Sequence, residues 1–325
     1  MPQFKVLVTR RLPTSLKPLE KLAAVDLWTE RQPPPYEVLL DKVRNTDGLL
    51  CLLTDPIDRR LIEAGVNLKV ISQMAVGYDN IDIAAATASH IPVGYTPDVL
   101  TDATADFAWA LLMAAARRVV EADRFTRSNQ WRTWEPDLLL GSNIAGATLG
   151  IVGLGRIGQA VAQRARGFDM KIIYTNQKRG VPQLERKLGV EFVEFERLLQ
   201  ASDFVTIHTP LTPETHHLFD DRQFNQMQRS AVLINTARGA IVNPDALYRA
   251  LANGQIAAAA MDVTDPEPIS ADSPLLTLEN LIITPHIASA SRQTREKMGI
   301  MAITNLIAGL QGDRLPHCVN PEVYL

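Results

Sequence analysis

The sequence predicts an α/β fold, a doubly wound parallel-sheet domain inserted into a smaller α/β domain, and three observations carry that prediction. Strand-length apolar runs alternate with helical patterns along the chain. A glycine-rich run, GIVGLGRIG from Gly150 to Gly158, follows a strand pattern and opens a helix, yet it stands near the middle of the chain rather than at its beginning. Length agrees, because 325 residues exceed the usual range of roughly 100 to 200 per domain. The expected division is an outer domain of residues 1–100 and 291–325 around an inner domain of residues 101–290.

Taken in order, Phe4 to Thr9, Gly48 to Thr54 and Lys69 to Ala75 read as buried strands, and LLCLLT is the continuous apolar run that a parallel strand covered on both faces requires. Pro56 to Ala64 has a helical pattern, while Pro33, Pro34 and Pro35 mark an extended loop that no helix can cross. The segment DATADFAWALLMAAARR predicts a long apolar helix with Thr101 as N-cap and Arg117 and Arg118 at its C-terminal end. Its apolar face suits core or dimer packing, and the helix is placed to link the two domains. The strand ending at Val152 is followed by Lys171 to Thr175, Phe204 to His208, Ala231 to Asn235, Ala257 to Val263 and Leu281 to Thr284, which makes six in the inner domain. A last helix, Ser291 to Gly309, should return the chain to the outer domain.

Composition excludes several classes. Hydrophobic residues make up 46% and charged residues 21%, enough apolar material for buried cores and incompatible with global disorder. A net charge of -3 provides no footprint for nucleic acid or an anionic membrane surface. Cys51 and Cys318 are the only cysteines and have neither metal-site nor disulfide-framework spacing, which fits a reducing compartment. No apolar signal region opens the chain and no run of about 20 apolar residues occurs. The expectation is a soluble cytoplasmic protein with no metal, nucleic-acid or membrane partner.

Within the glycine run, Gly153 permits the tight turn, Gly155 lets backbone approach a pyrophosphate, and Gly158 lets helix pack on strand. Arg156 and Ile157 would present backbone N–H groups at the helix start, where the dipole favours negative charge. A plain β-to-α turn can also carry GxGxxG; the strand before it and the helix after it favour a dinucleotide. The second strand should then end in a carboxylate for the ribose hydroxyls, but KIIYTNQKRG has neutral Asn176 there, 18 residues past Gly158. Lys178 and Arg179 follow and would neutralise a 2′-phosphate, so NADPH is expected as the preferred cofactor and NADH as possible. The alternative is that both cations are solvated loop residues.

Three further segments place polar residues just after strands: INTARGAIVN, MDVTDPEP and TPHIASAS. Arg238, Glu267 and His286 are the candidates for chemistry. Reducing a 2-oxo acid requires a cation for its carboxylate, a hydride donor over its carbonyl carbon and an acid for its carbonyl oxygen. Arginine supplies a planar fork, histidine exchanges a proton near neutral pH, and a neighbouring carboxylate stabilises imidazolium. Taken singly, Arg238 reads as a surface ion pair, Glu267 as a loop acid and His286 as a structural histidine. His216 and His217 have no companion ligands in the sequence and read as surface residues.

With these motifs the chain resembles the D-2-hydroxyacid dehydrogenase family, and within it the glyoxylate and hydroxypyruvate reductases, nearly from end to end. The resemblance is carried by AVGYDNID (Ala75 to Asp82), LTDATADFAWALLMAAARR (Leu100 to Arg118), GLGRIG, HTPLTPET (His208 to Thr215), INTARGAIVN, MDVTDPEP and TPHIASAS. It implies a Rossmann cofactor domain within a smaller flavodoxin-like substrate domain. It also implies Arg238 as the substrate-binding, polarising arginine, His286 as acid-base, and Glu267 as its partner. Val76 and Gly77 would take the substrate carboxylate through their backbone. Thr104, His208, Pro210, Thr215, Thr236, Ala237, Asp262 and His286 would line the cofactor, with Asp262 on the nicotinamide amide.

The segment WRTWEPDLLLG resembles one that crosses to a partner subunit, so a homodimer is implied and Trp134, rather than Trp131, would enter the partner's site; the alternative is that the pair pins the linker. The chain departs from the family pattern at Asp98 and Ala288, where glycine is usual, and at Asn243, where aspartate is usual. The implied activity is reduction of glyoxylate or hydroxypyruvate to the D-2-hydroxy acid. The alternatives are a nucleotide-sensing protein like the C-terminal-binding corepressors, or a family dehydrogenase for another 2-hydroxy acid.

Overall fold

The computed structural model describes Gln3 to Leu325. Two compact units emerge: residues up to Leu100 with Ala290–Leu325, and Thr101–Ser289.

In the first unit, strands β1 (Phe4–Val8), β2 (Ala23–Leu27), β3 (Gly48–Cys51), β4 (Val70–Gln73) and β5 (Val93–Gly94) form one sheet in the order β2-β1-β3-β4-β5. Every pairing is parallel, and the order is that of flavodoxin-like folds. Successive side chains point to opposite faces, so Leu7, Leu49 and Ile71 enter one apolar core while Val6, Leu50 and Val70 enter the other. The closing helix, Arg292–Gln311, covers the second face and is capped by the Ser291 side chain accepting from Thr294 N. It lies close to the sheet: a Cβ on Gly309 would stand 2.5 Å from the Val70 side chain.

The sequence reading did not include β2 and β5. Only Ala23 of β2 is buried, as befits an edge strand, and β5 has two residues, so neither carries a long apolar run. The helix expected from Pro56 begins only at Arg59, because Asp58 caps it by accepting from Leu61 N at 2.9 Å and Ile57 bridges to Ile81.

In the second unit, β6 (Thr148–Val152), β7 (Lys171–Thr175), β8 (Val190–Phe192), β9 (Phe204–Ile207), β10 (Val232–Asn235), β11 (Ala258–Met261) and β12 (Leu281–Ile283) form a parallel sheet. Its order is β12-β11-β10-β9-β6-β7-β8, the doubly wound arrangement with a switch point beside β6. Two cores again cover the faces, one with Leu149, Ile151, Phe204 and Val232, the other with Val152, Val205, Leu233 and Ala259. The apolar helix Thr101–Ala116 covers the first face, where Trp109 stacks on Phe168 and donates to Val161 O at 3.1 Å.

Three details differ from expectation. The unit has seven strands rather than six, the extra one being the short edge strand β8. Thr101 is the first helical residue rather than the cap, and the helix stops at Ala116. Arg118 then adopts a left-handed conformation (φ 52°) and opens a separate helix, Val119–Arg127.

Leu306 is fully buried between the closing helix and the first unit's sheet. Replacing it with alanine should destabilise the protein by about 2–5 kcal/mol, as deletion of a buried leucine generally does, and urea denaturation would measure the loss.

Candidate active site

Because all seven strands of the second unit run the same way, their carboxyl ends share one edge, and β6, β10, β11 and the segment after β12 each place polar backbone or side chains there. At the end of β6, Gly153 has φ 99°, which favours glycine, and a Cβ there would lie 2.7 Å from the His208 carbonyl. A Cβ on Gly158 would collide with the Gly153 carbonyl oxygen, so helix Arg156–Ala165 starts tight against the turn. Gly155, by contrast, faces open space, and no side chain caps the helix it begins. Exposed Gly155 and Arg156, half-buried Ile157 and the uncapped N–H groups form a cradle that fits a dinucleotide pyrophosphate.

After β10, the fully buried Asn235 side chain folds the turn that presents Arg238. Its amide donates to Arg238 O at 2.8 Å and its oxygen accepts from Ala237 N at 2.9 Å. Arg238 Nη1 donates to Ala237 O at 2.8 Å. Between them, the buried Thr236 hydroxyl has no hydrogen-bond partner. An orphaned hydroxyl on the same sheet edge as the glycine cradle fits a polar ligand there.

After β11, the Asp262 carboxylate is 1% exposed and accepts from Thr284 Oγ1 at 2.6 Å, Ile287 N at 2.9 Å and Ala288 N at 2.7 Å. Its carbonyl accepts from His286 N at 2.9 Å. These bonds hold His286 at φ 54°, a conformation that a non-glycine residue keeps only when its surroundings impose it. Asp262, expected on the nicotinamide amide, also builds the histidine's turn through these bonds.

His286 Nδ1 lies 2.6 Å from Glu267 Oε1. An ionised carboxylate only accepts, so Nδ1 carries the hydrogen of that bond. Desolvation raises the Glu267 pKa, but the His286 hydrogen bond and charge, the Thr264 N–H and the nearby Arg238 charge outweigh it and leave it below the ordinary value. The expected Arg238, Glu267 and His286 therefore share one neighbourhood.

A family model described as "D-isomer specific 2-hydroxyacid dehydrogenase, NAD binding domain" matches residues 109–288. The chain belongs to the D-isomer specific 2-hydroxyacid dehydrogenase family. It is 51% identical to a glyoxylate reductase of Korarchaeum cryptofilum over 98% of this chain and 96% of the relative. The crystal structure of the TT0316 protein from Thermus thermophilus superposes with a TM-score of 0.91 at 45% identity, covering 97% of this chain and 99% of that one. An NADPH-dependent glyoxylate/hydroxypyruvate reductase from Sinorhizobium meliloti, solved with NADP and malonate, superposes with a TM-score of 0.86 at 28% identity over 98% and 97% of the two chains. The protein is thus a 2-hydroxyacid dehydrogenase, an NAD(P)H-dependent enzyme of 2-oxo acid reduction.

For this dehydrogenase the remaining expected residues fall as follows. Thr104 is buried in the first turn of helix Thr101–Ala116. His208 Nε2 lies 2.8 Å from Thr206 Oγ1, and burial pushes its pKa down to about 3, so the ring is neutral at physiological pH. The Thr215 hydroxyl donates to Pro210 O and accepts from Thr212 N, both at 2.7 Å, so its bonds lie within its own loop. Asn176 Oδ1 accepts from Leu154 N at 2.7 Å, tying the end of β7 to the glycine turn. Lys178 and Arg179, expected at a 2′-phosphate, are both exposed, and Arg179 also forms a fork with Glu185 through two 2.8 Å bonds. Tyr174 OH also donates to Glu185 at 2.7 Å.

His216 and His217 were expected as surface residues without companions. Only His216 is exposed; the two rings stack at 4.0 Å and Asp265 lies beside them. Trp131 and Trp134 are both exposed, and Trp131 Nε1 donates to Thr133 O at 2.9 Å. Two of the three departures have a visible backbone setting. Asn243 caps helix Pro244–Ala252 by accepting from Asp245 N and Ala246 N, as aspartate would, and Asp98 has φ 66°, where glycine is favoured. Sequence reasoning missed Asn235; its place just before the TAR turn was the available signal.

In the first unit, Val76 and Gly77 lie in the loop after β4, where buried Gln73 donates to Gly77 O at 2.5 Å and pairs with Asn80. A cavity of about 570 Å³ in the second unit adjoins Val232, Ala258 and Leu281 at the amino ends of β10, β11 and β12, and neither the glycine turn nor His286 is among its lining residues.

The Arg179 hydrogen bonds, then the Tyr174 bond, lower the Glu185 pKa to about 2. A depressed carboxylate pKa contributes stability fully present above the unfolded value near 4.5 and lost as pH falls toward 2. Glu185→Gln should lower Tm at pH 7, with the gap from wild type closing between about pH 4.5 and 2; thermal melts across that window test it.

Proposed function

We propose that this dehydrogenase is an NADPH-preferring reductase that converts glyoxylate or hydroxypyruvate to the D-2-hydroxy acid, working as a cytoplasmic homodimer. The observation that carries the reading is the 2.6 Å His286–Glu267 bond beside Arg238 at the carboxyl edge of the cofactor-domain sheet. A nicotinamide held at this edge would supply the hydride. His286 donates a proton to the carbonyl oxygen from Nε2, the ring atom opposite the Glu267 bond, and Glu267 stabilises the imidazolium before transfer. Arg238 binds the substrate and stabilises charge developing on that oxygen. Val76 and Gly77 as carboxylate donors, and Trp134 as a partner-site contact, rest on their motifs; Trp134 is 79% exposed.

The preference for NADPH is supported by the neutral Asn176 at the end of β7 and by Lys178 and Arg179 after it. The Glu185 fork uses Nε and Nη2 of Arg179 and sets the plane of a guanidinium that has five donors. Thr104, Pro210, Thr215, Thr236, Ala237 and Asp262 complete the proposed cofactor wall. Reduction of glyoxylate is supported by the relative's name, and hydroxypyruvate by that of the Sinorhizobium structure.

Steady-state NADPH oxidation with glyoxylate and hydroxypyruvate tests the activity, and absence of turnover across small 2-oxo acids would favour a nucleotide-sensing role. His286→Ala should lower kcat by about 100-fold or more, as loss of a general acid does. Arg238→Ala should both raise KM and lower kcat. Wild-type kcat in the His286 variant would overturn its role. Lys178→Ala combined with Arg179→Ala should raise KM for NADPH by about tenfold or more and leave that for NADH nearly unchanged, since a charge-assisted hydrogen bond contributes about 1.5–3 kcal/mol; equal effects on both cofactors would refute the assignment.

A further inference from the structure

We propose that His216, His217 and Asp265 form a binding site for a divalent transition-metal ion of the zinc class, separate from the reacting groups. One ring nitrogen from each histidine and one carboxylate oxygen of Asp265 lie within 4.8 Å of one another, the only such group of three among the described residues. Two imidazoles and a carboxylate are ligands that zinc accepts, and three protein ligands leave its fourth position to water.

A second observation is independent of that proximity. His217 Nε2 is buried and has no hydrogen-bond partner, and its nearest carboxylate oxygen, Asp265 Oδ2, stands 4.0 Å away. That gap is too long for a hydrogen bond. Tetrahedral zinc with bonds of about 2.0–2.2 Å places neighbouring ligand atoms about 3.3–3.6 Å apart, so binding needs the three atoms to close in and one of the stacked rings to turn until both ring planes meet at the ion. His216 is exposed and its ring can turn to meet the ion.

The backbone around the group is set rather than loose. His217 has φ 51° and its N–H donates to Ala240 O at 2.8 Å, on the segment that follows Arg238. Asp265 lies on the Thr264–Glu267 segment, where the Thr264 carbonyl packs so closely on Gly239 that no Cβ fits. An ion held by His216, His217 and Asp265 would therefore tie the loop after β9 to the loop after β11. The site is a structural brace beside the chemistry and supplies no group to hydride transfer, so its test does not depend on the reductase reading.

The test is calorimetric titration of the full-length protein with Zn2+ alone in chelator-free buffer. Wild type should bind one equivalent at this site. His216→Ala and Asp265→Asn should each weaken binding by at least about tenfold, since loss of even an outer-shell partner costs 10–100-fold. The His216 change alters an exposed ring and should leave the unliganded Tm and the basal activity unchanged. Lack of saturable binding by wild type, or a His216→Ala or Asp265→Asn variant that binds as tightly as wild type, overturns the proposal.

Discussion

The carboxyl edge of the second unit depends on one buried carboxylate. Asp262 leaves β11 with almost no exposure and collects a hydroxyl and two backbone N–H groups from the segment after β12. A buried charge is tolerated only when its lone pairs are filled, and filling them bends that segment around His286. The histidine's left-handed backbone is the result, and its Nδ1 thereby comes within 2.6 Å of Glu267. The position of the His286–Glu267 pair is thus set by a third side chain, Asp262.

Asn235 solves the same problem one strand away. Both ends of its side chain bond to backbone within three residues, giving the Arg238 turn a fixed shape at full burial. Close packing finishes the arrangement, because only glycine fits between the Arg238 segment and the Thr264 carbonyl. Hydrogen-bonded and sterically filled loops of this kind hold functional groups without the side chains themselves having to be rigid.

Parts of this were legible from residues alone. GIVGLGRIG in its strand and helix context identified the tight turn, the open approach and the close packing, which the structure shows at Gly153, Gly155 and Gly158 respectively. Long apolar runs such as LLCLL marked central strands, since burial on both faces demands them. The edge strands β2, β5 and β8 escaped because short or half-exposed strands need little apolar sequence. The Arg179–Glu185 fork escaped because Glu185 lies on the following helix, and no local pattern reveals that the two side chains meet.

The sequence by itself determined the α/β class, the glycine cradle at the amino end of a helix and the chemical inventory of arginine, carboxylate and histidine. Those properties follow from periodicity and residue type over short spans. Only the tertiary structure decided that Asp262 shapes the His286 turn, that Asn235 shapes the Arg238 turn, and that two adjacent histidines acquire an aspartate from a distant segment. Parallel strands bring such distant segments side by side at one edge, and hydrogen-bond geometry, which has no linear signature, then fixes which atoms meet.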